Sequence, residues 1–171
     1  MWSREDSAKT AERRVSVLIA DPSPPMRSWL ATTLSLSASG RPACSFVDDG
    51  VDLLYHLAEK GPFDLVVAQV ALAGIDGGQV LAMARTAGLN TPFVLVSAVA
   101  DDRLRSLIAR TEPAALVDDP FDAPALVSAA KRLLAAAQPS PGRVAWRRAI
   151  AKWTTRAAGA APPAARARAF R

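Results

Sequence analysis

The sequence predicts an α/β fold, a doubly wound sheet of five parallel strands. Three observations predict it. Short valine-rich apolar runs alternate along the chain with stretches whose apolar residues recur at helical spacing. The joins between them are short and hold proline, glycine or aspartate at the points where elements should start and stop. The run Phe63-Asp-Leu-Val-Val-Ala-Gln69 shows no in-out alternation, so it reads as a strand buried on both faces, which needs helices on both sides of a parallel sheet.

In order, residues 1–13 are polar and mixed in charge and predict a disordered segment. Val15 to Asp21 is a hydrophobic strand ending on an acid. The loop Pro-Ser-Pro-Pro opens a helix, where a missing proline N–H would have had no partner. That helix shows an apolar face of Met26, Leu30 and Leu34 with Trp29 and Thr33. Ala43 to Val47 is a second strand, and Asp48 or Asp49 caps the helix Val51 to Lys60, with Leu54, Leu57 and Ala58 inward.

The central strand follows, then a helix Gly77 to Thr86 carrying Val80, Leu81 and Ala84. Phe93 to Ser97 is the fourth strand, and Asp101 or Asp102 caps a helix through Arg110. Ala115 to Val117 is the fifth strand, and Asp122 caps a helix to Ala137 with Leu126, Val127, Ala130, Leu133 and Leu134. In such a sheet ligands and chemistry lie beyond the carboxyl ends of the strands. Those ends bring Asp21, Gln69, Ser97 and the pair Asp118 and Asp119 to one rim.

At 171 residues, 50% apolar and 22% charged, the chain suits one domain with appendages. One cysteine, Cys44, excludes an internal disulfide and fits a reducing compartment. The first residues are too polar for a signal peptide, and no apolar run is long enough to span a bilayer, so a cytoplasmic location is expected. The net charge of +5 conceals segregation. All 16 acids lie at or before Asp122; residues 1–142 hold 13 basic residues and a net −3, while residues 143–171 hold eight basic residues and no acid.

Several segments together resemble the receiver domains of bacterial two-component response regulators over Arg14 to Ala137. They are Val-Leu-Ile-Ala-Asp-Pro-Ser-Pro-Pro-Met-Arg, Asp-Leu-Val-Val-Ala-Gln with Gly-Ile-Asp-Gly, Thr-Pro-Phe-Val-Leu-Val-Ser-Ala and Asp-Pro-Phe. The resemblance implies the CheY-like, flavodoxin-like (βα)5 fold. It also implies phosphoryl transfer from a histidine kinase to an aspartate ending the third strand. Magnesium would be held by that aspartate, an acid after the first strand and a backbone carbonyl. A lysine before Pro-Phe and a Ser or Thr ending the fourth strand would complete the site.

Carried onto this sequence, the pattern is degenerate. The phosphoacceptor position is Gln69, whose neutral carboxamide cannot form an acyl phosphate. Of the acid pair only Asp21 remains, followed by Pro22. Ser97 matches. The lysine position is Asp119, the aromatic switch position is Leu116 and the loop proline is Ala73. The other acids near the strand are Asp64, which begins it, and Asp76, in the Gly-Ile-Asp-Gly turn. One carboxylate and one amide should hold a hard divalent cation weakly or not at all, so no cofactor is expected. The expectation is a pseudo-receiver, a phosphorylation-independent protein-interaction module in a two-component or phosphorelay pathway. It is not an enzyme, and its partner is a signalling protein or a second copy in a homodimer.

Were Asp21 and Asp119 about 4 Å apart, they would repel by roughly 4 kcal/mol at an effective dielectric of about 20. Either they stay apart in water or a cation lies between them, from a partner's Lys or Arg or from Arg103 or Arg105. His56, beside Asp52 and Glu59 on a polar helix side, lacks the Cys or second His of a metal site. Cys44 reads as core.

Beyond a linker at 138–142, residues 143–157 form a predicted basic amphipathic helix. Trp146, Ile150, Trp153 and Ala157 make one stripe, and Arg148, Lys152 and Arg156 another. Residues 158–171 predict a disordered basic tail. A helix this short is marginal alone in water, so the stripe needs a surface. Its own domain or a second copy, an acidic protein, an anionic membrane and nucleic acid all remain open, the last two making the receiver fold only a scaffold.

Overall fold

The computed structural model describes residues 14–37, 41–118 and 122–137. Over these, strand and helix alternate five times: β1 (Ser16–Ala20), α1 (Pro24–Ser37), β2 (Ala43–Val47), α2 (Gly50–Glu59), β3 (Leu65–Gln69), α3 (Gly77–Thr86), β4 (Phe93–Ser97), α4 (Asp102–Arg110), β5 (Ala114–Asp118) and α5 (Ala123–Ala136). The strands form one parallel sheet in the order β2-β1-β3-β4-β5. From β1 the chain crosses to β2 on one side, and from β3 it proceeds to β4 on the other, so the topological switch lies between β1 and β3.

The two faces of the sheet bury separate sets of residues because strand side chains alternate. Leu18, Ala20, Val66, Ala68 and Leu95 pack with Leu53 and Leu57 of α2, Val80 and Leu81 of α3 and Leu104 of α4. Val17, Ile19, Leu65, Val67 and Val96 pack with Leu30 and Leu34 of α1 and Leu126 and Leu133 of α5. Leu65 to Ala68 are fully buried, as the unalternating run required.

Aspartates start four helices. Asp49 accepts from the Asp52 N–H at 2.7 Å, Asp101 from Leu104 at 2.7 Å and Asp122 from Ala125 at 3.2 Å. Asp76 accepts from Gln79 at 2.8 Å while the Gln79 side chain accepts from the Asp76 N–H, a reciprocal capping box. Of each pair left open by the sequence, Asp49 and Asp101 are the caps.

The structure corrects two helix faces. The buried pair of α2 is Leu53 and Leu57, with Leu54 and Ala58 only partly covered, so the inward stripe is rotated from the one expected. Trp29 of α1 is 36% exposed, because Leu30, Thr33 and Leu34 take the inward positions. Residues 1–13, the linker 138–142, the expected amphipathic helix at 143–157 with Trp146, Arg148, Ile150, Lys152, Trp153 and Arg156, and residues 158–171 lie outside the described residues.

At the end of the sheet opposite the rim, Arg85 locks α3 to the starts of β4 and β5. Nε donates to the Thr111 carbonyl at 2.8 Å, Nη1 to Leu89 at 2.7 Å, and Nη2 to Thr91 and Pro113, each at 3.0 Å. Its guanidinium lies 5.5 Å from the centre of the Phe93 ring. Burial pulls its pKa down to about 10.

Candidate functional site: the carboxyl rim of the sheet

The register pairs Ala20 with Ala68, Gln69 with Val96 and Ser97 with Asp118. Neighbouring strands lie about 4.8 Å apart, so Asp21 and Gln69 meet at one level across the switch point, with Ser97 and Asp118 one step further round. The structure therefore gathers the sequence-predicted rim residues Asp21, Gln69, Ser97 and Asp118. Asp119, at the lysine position, lies outside the described residues.

Asp21 is only 3% exposed. Its N–H donates to the Val47 carbonyl at 3.1 Å, and its Oδ1 accepts from the Ser23 N–H at 2.8 Å, folding the β1–α1 loop back on itself. Its backbone carbonyl accepts from Arg27 Nη1 at 2.6 Å. Arg103 and Arg105, one of the alternatives left open for that rim, lie exposed on α4. Arg27 was not singled out because a guanidinium serving a backbone carbonyl leaves no pattern in sequence. Pro22 is exposed and carries no side-chain donor or acceptor.

Gln69 ends β3 partly buried, with its Oε1 shut away from solvent and without a hydrogen-bond partner. The loop after it is tightly strapped. Val70 N–H donates to Val96 at 2.8 Å, Gly77 N–H to Val70 at 2.9 Å and Gly50 N–H to Ala73 at 3.1 Å. A Cβ on Gly77 would come within 2.4 Å of the Gln69 carbonyl oxygen, so only glycine lets α3 start this close to the strand end.

Ser97 is buried, and its hydroxyl is turned into its own loop, donating to the Val99 carbonyl at 2.7 Å and accepting from the Val99 N–H at 3.2 Å. Leu116, in register with Leu95, is partly buried against the core on the α2, α3 and α4 side. An aliphatic side chain here has no hydroxyl to exchange between core and rim.

Chemically, the described rim offers two carboxylates, Asp21 and Asp118, set three strands apart, with one neutral carboxamide and one hydroxyl. The amide oxygen at the end of β3 can accept a hydrogen bond but cannot serve as a carboxylate nucleophile. A hard divalent ion prefers several anionic oxygens in compact geometry, and this donor set fits it poorly. His56 Nδ1 lies 3.0 Å from the Asp52 carbonyl and its ring meets Tyr55 edge-on, which ties it to its own helix. Cys44 is half-buried rather than core, on the edge strand β2, and burial raises its thiol pKa. No helix among the described residues is long and apolar enough to cross a membrane.

No family model matches the chain. Over 95 residues it is 35% identical to the transcriptional regulatory protein HprR of Escherichia coli (strain K12), an alignment that covers 54% of this chain and 40% of that protein. The chain thus spans well under half the length of this relative. Among solved structures, the signal receiver domain of the response regulator NarL from Mycobacterium tuberculosis is 26% identical, with a TM-score of 0.59 over 72% of this chain and 98% of that one. The receiver domain of the Francisella response regulator 1452 matches at 19% identity and a TM-score of 0.63, over 71% of this chain and 98% of that one. The signal receiver domain of an HD domain-containing protein from Pseudomonas fluorescens Pf-5 matches at 23% identity and 0.62, over 72% and 96%. With five parallel strands in receiver order, the segments that carry the sequence resemblance and these relatives all agreeing, the chain carries a CheY-like receiver domain, similar to those of response regulators.

Proposed function

We propose that this receiver domain works as a protein-interaction module without aspartyl phosphorylation. The observation that carries the reading is Gln69 at the end of β3, with Oε1 buried and unpartnered. A carboxamide there supplies no acidic oxygen to attack phosphorus, and the described rim gives magnesium a poor set of ligands. Supporting this, Ser97 spends its hydroxyl on Val99 and Leu116 is aliphatic. A domain without its chemical switch holds one shape, since a population shifts only when a ligand binds two states differently. The partner is a signalling protein. A Lys or Arg that such a partner inserts at the rim would meet Asp118, exposed at the end of β5, with Asp119 next to it in sequence.

Incubation of the full chain with acetyl phosphate and magnesium, read by intact mass, tests this. The expected result is no phosphoryl adduct, and a stoichiometric adduct overturns the proposal. The segregation of eight basic residues into 143–171 favours a second reading, in which that tail binds nucleic acid or an anionic membrane and the receiver fold is its scaffold. Binding to DNA or anionic vesicles that falls steeply with salt and vanishes on deletion of residues 143–171, with no protein partner retained, selects the second reading.

A further inference from the structure

We infer that the outer face of α2 is the docking site for this chain's own basic segment, residues 143–157. The inference goes beyond the phosphorylation-independent reading and stands whether or not Gln69 blocks phosphorylation. With Leu53 and Leu57 turned into the core, the opposite side of α2 presents Val51, 46% exposed, and Tyr55, 52% exposed, one helical turn apart. Residue spacing sets Asp52 and Glu59 on the same exposed side, and both are solvent-facing.

At the head of this face the carboxylates of Asp48, Asp49 and Asp52 have ligand oxygens within 4.8 Å of one another. Three like charges so close repel, and a cation brought among them relieves the repulsion. The face is thus an apolar step bordered by acids. Residues 143–157 carry the complementary pattern, Trp146, Ile150 and Trp153 on one stripe with Arg148, Lys152 and Arg156 on the next, and no acid follows Asp122 anywhere in the chain.

Length is compatible as well. Because helices run against the strands they follow, α5 and α2 stop at the same end of the sheet but on opposite faces, α5 beside α1 and α2 beside α3, so the segment leaving after Ala137 passes around that end to reach α2. Passing two helix layers of about 10 Å each takes about 20 Å or more, and the nine residue steps from Ala137 to Trp146 reach up to about 30 Å when extended. As a helix, Trp146 to Ala157 would be about 18 Å long, enough to cover the 10 residues of α2, about 15 Å. The seat also touches the rim, because the Gly50 N–H at the head of α2 donates to Ala73 in the loop that follows β3.

Amide hydrogen exchange of the full chain, read by mass spectrometry, tests the docking. The expected result is that residues 50–59 and 143–157 are protected together. Tyr55→Lys and, separately, Trp146→Ala with Trp153→Ala should each accelerate both segments about tenfold while β3 stays unchanged. Should Tyr55→Lys also speed β3, Asp52→Lys, at an exposed position, gives the same reading without disturbing the core. Protection of 143–157 that ignores these α2 variants overturns the proposal. So does protection that disappears on dilution, which assigns the segment to a second copy, or that appears only with added anionic vesicles or DNA.

Discussion

Arg27, in the first turn of α1, donates from Nη1 to the backbone carbonyl of Asp21 at 2.6 Å. Together with the Ser23 N–H on Oδ1 and the bond from its own N–H to Val47, this makes Asp21 the knot of the β1–α1 loop. Arg27→Met keeps the apolar stem and deletes the donor. Charged hydrogen bonds contribute about 1.5–3 kcal/mol, and partial exposure reduces that here to about 1 kcal/mol. Thermal unfolding should show a drop of a few degrees.

The close approach of the β3–α3 loop to its neighbours gives a steric prediction. A Cβ on Gly50 would lie 1.7 Å from the Ile75 carbonyl oxygen, and one on Gly77 2.4 Å from that of Gln69. Both obstacles are backbone, which cannot turn aside. Gly50→Ala and Gly77→Ala should each cost about 2 kcal/mol or more, with Gly50→Ala the worse. Gly78→Ala should be much milder, since its nearest obstacle is the end of the Leu107 side chain at 3.1 Å. Urea titrations with an unchanged slope would report the order.

Arg85 is a structural cation with four carbonyl partners. Arg85→Lys supplies a point charge in place of the planar fork and should satisfy fewer of them. Arg85→Met leaves all four carbonyls without this donor and should be the most destabilising of these side-chain changes, by about 3 kcal/mol or more. The measurement is a denaturant midpoint for each variant. An Arg85→Met protein as stable as the parent would mean that the four bonds contribute nothing net.

Cys44 should react slowly. Burial favours its neutral thiol and raises the pKa, so less thiolate is present at a given pH than in the unfolded chain. The sign for stability follows. The folded state resists ionisation, and stability falls as pH rises past the unfolded thiol value of about 8.5. Iodoacetamide labelling near pH 8 should be slower in the native chain than in urea, and Cys44→Ala should flatten the alkaline fall in stability.

Much of this was legible in sequence because the signals were local. Capping chemistry within three residues points to Asp122 and to one of each pair Asp48 and Asp49, Asp101 and Asp102, and the apolar run at 65–68 announces burial on both faces; the capping box of Asp76 and Gln79 emerges only in the structure. The site position of Gln69 followed from the strand end alone. The inward phase of α2 differs from the expected one because Leu53, Leu54, Leu57 and Ala58 form a broad apolar arc, and tertiary packing selects its Leu53 and Leu57 side. Arg27 and Arg85 leave no mark in the sequence because their partners are backbone carbonyls, which any sequence supplies, and two of Arg85's four, Thr111 and Pro113, are brought to it only by the fold. The inward turn of the Ser97 hydroxyl onto Val99 likewise depends on the conformation of the loop after β4.

Gln69 itself yields the most discriminating prediction. A buried amide oxygen without a partner costs about 1–3 kcal/mol relative to a satisfied one, so Gln69→Leu, of similar volume and without the polar group, should be neutral or stabilising by about 1 kcal/mol. Gln69→Asp should go the other way. In a partly buried position without a cation, the new carboxyl would have its pKa raised above the usual 3.9 or so. An acid whose folded pKa is raised favours the folded state at low pH and loses that advantage as pH rises through the unfolded and then the folded value. The Gln69→Asp chain should therefore be closest to the parent below about pH 4 and progressively less stable toward neutrality. Addition of magnesium should restore little, because one of the two acids after β1 is still Pro22. Thermal unfolding of the three proteins across pH, with and without magnesium, measures all of this. A Gln69→Asp protein that magnesium stabilises strongly at neutral pH would show that the rim retains a working cation site, and that Gln69 alone had silenced it.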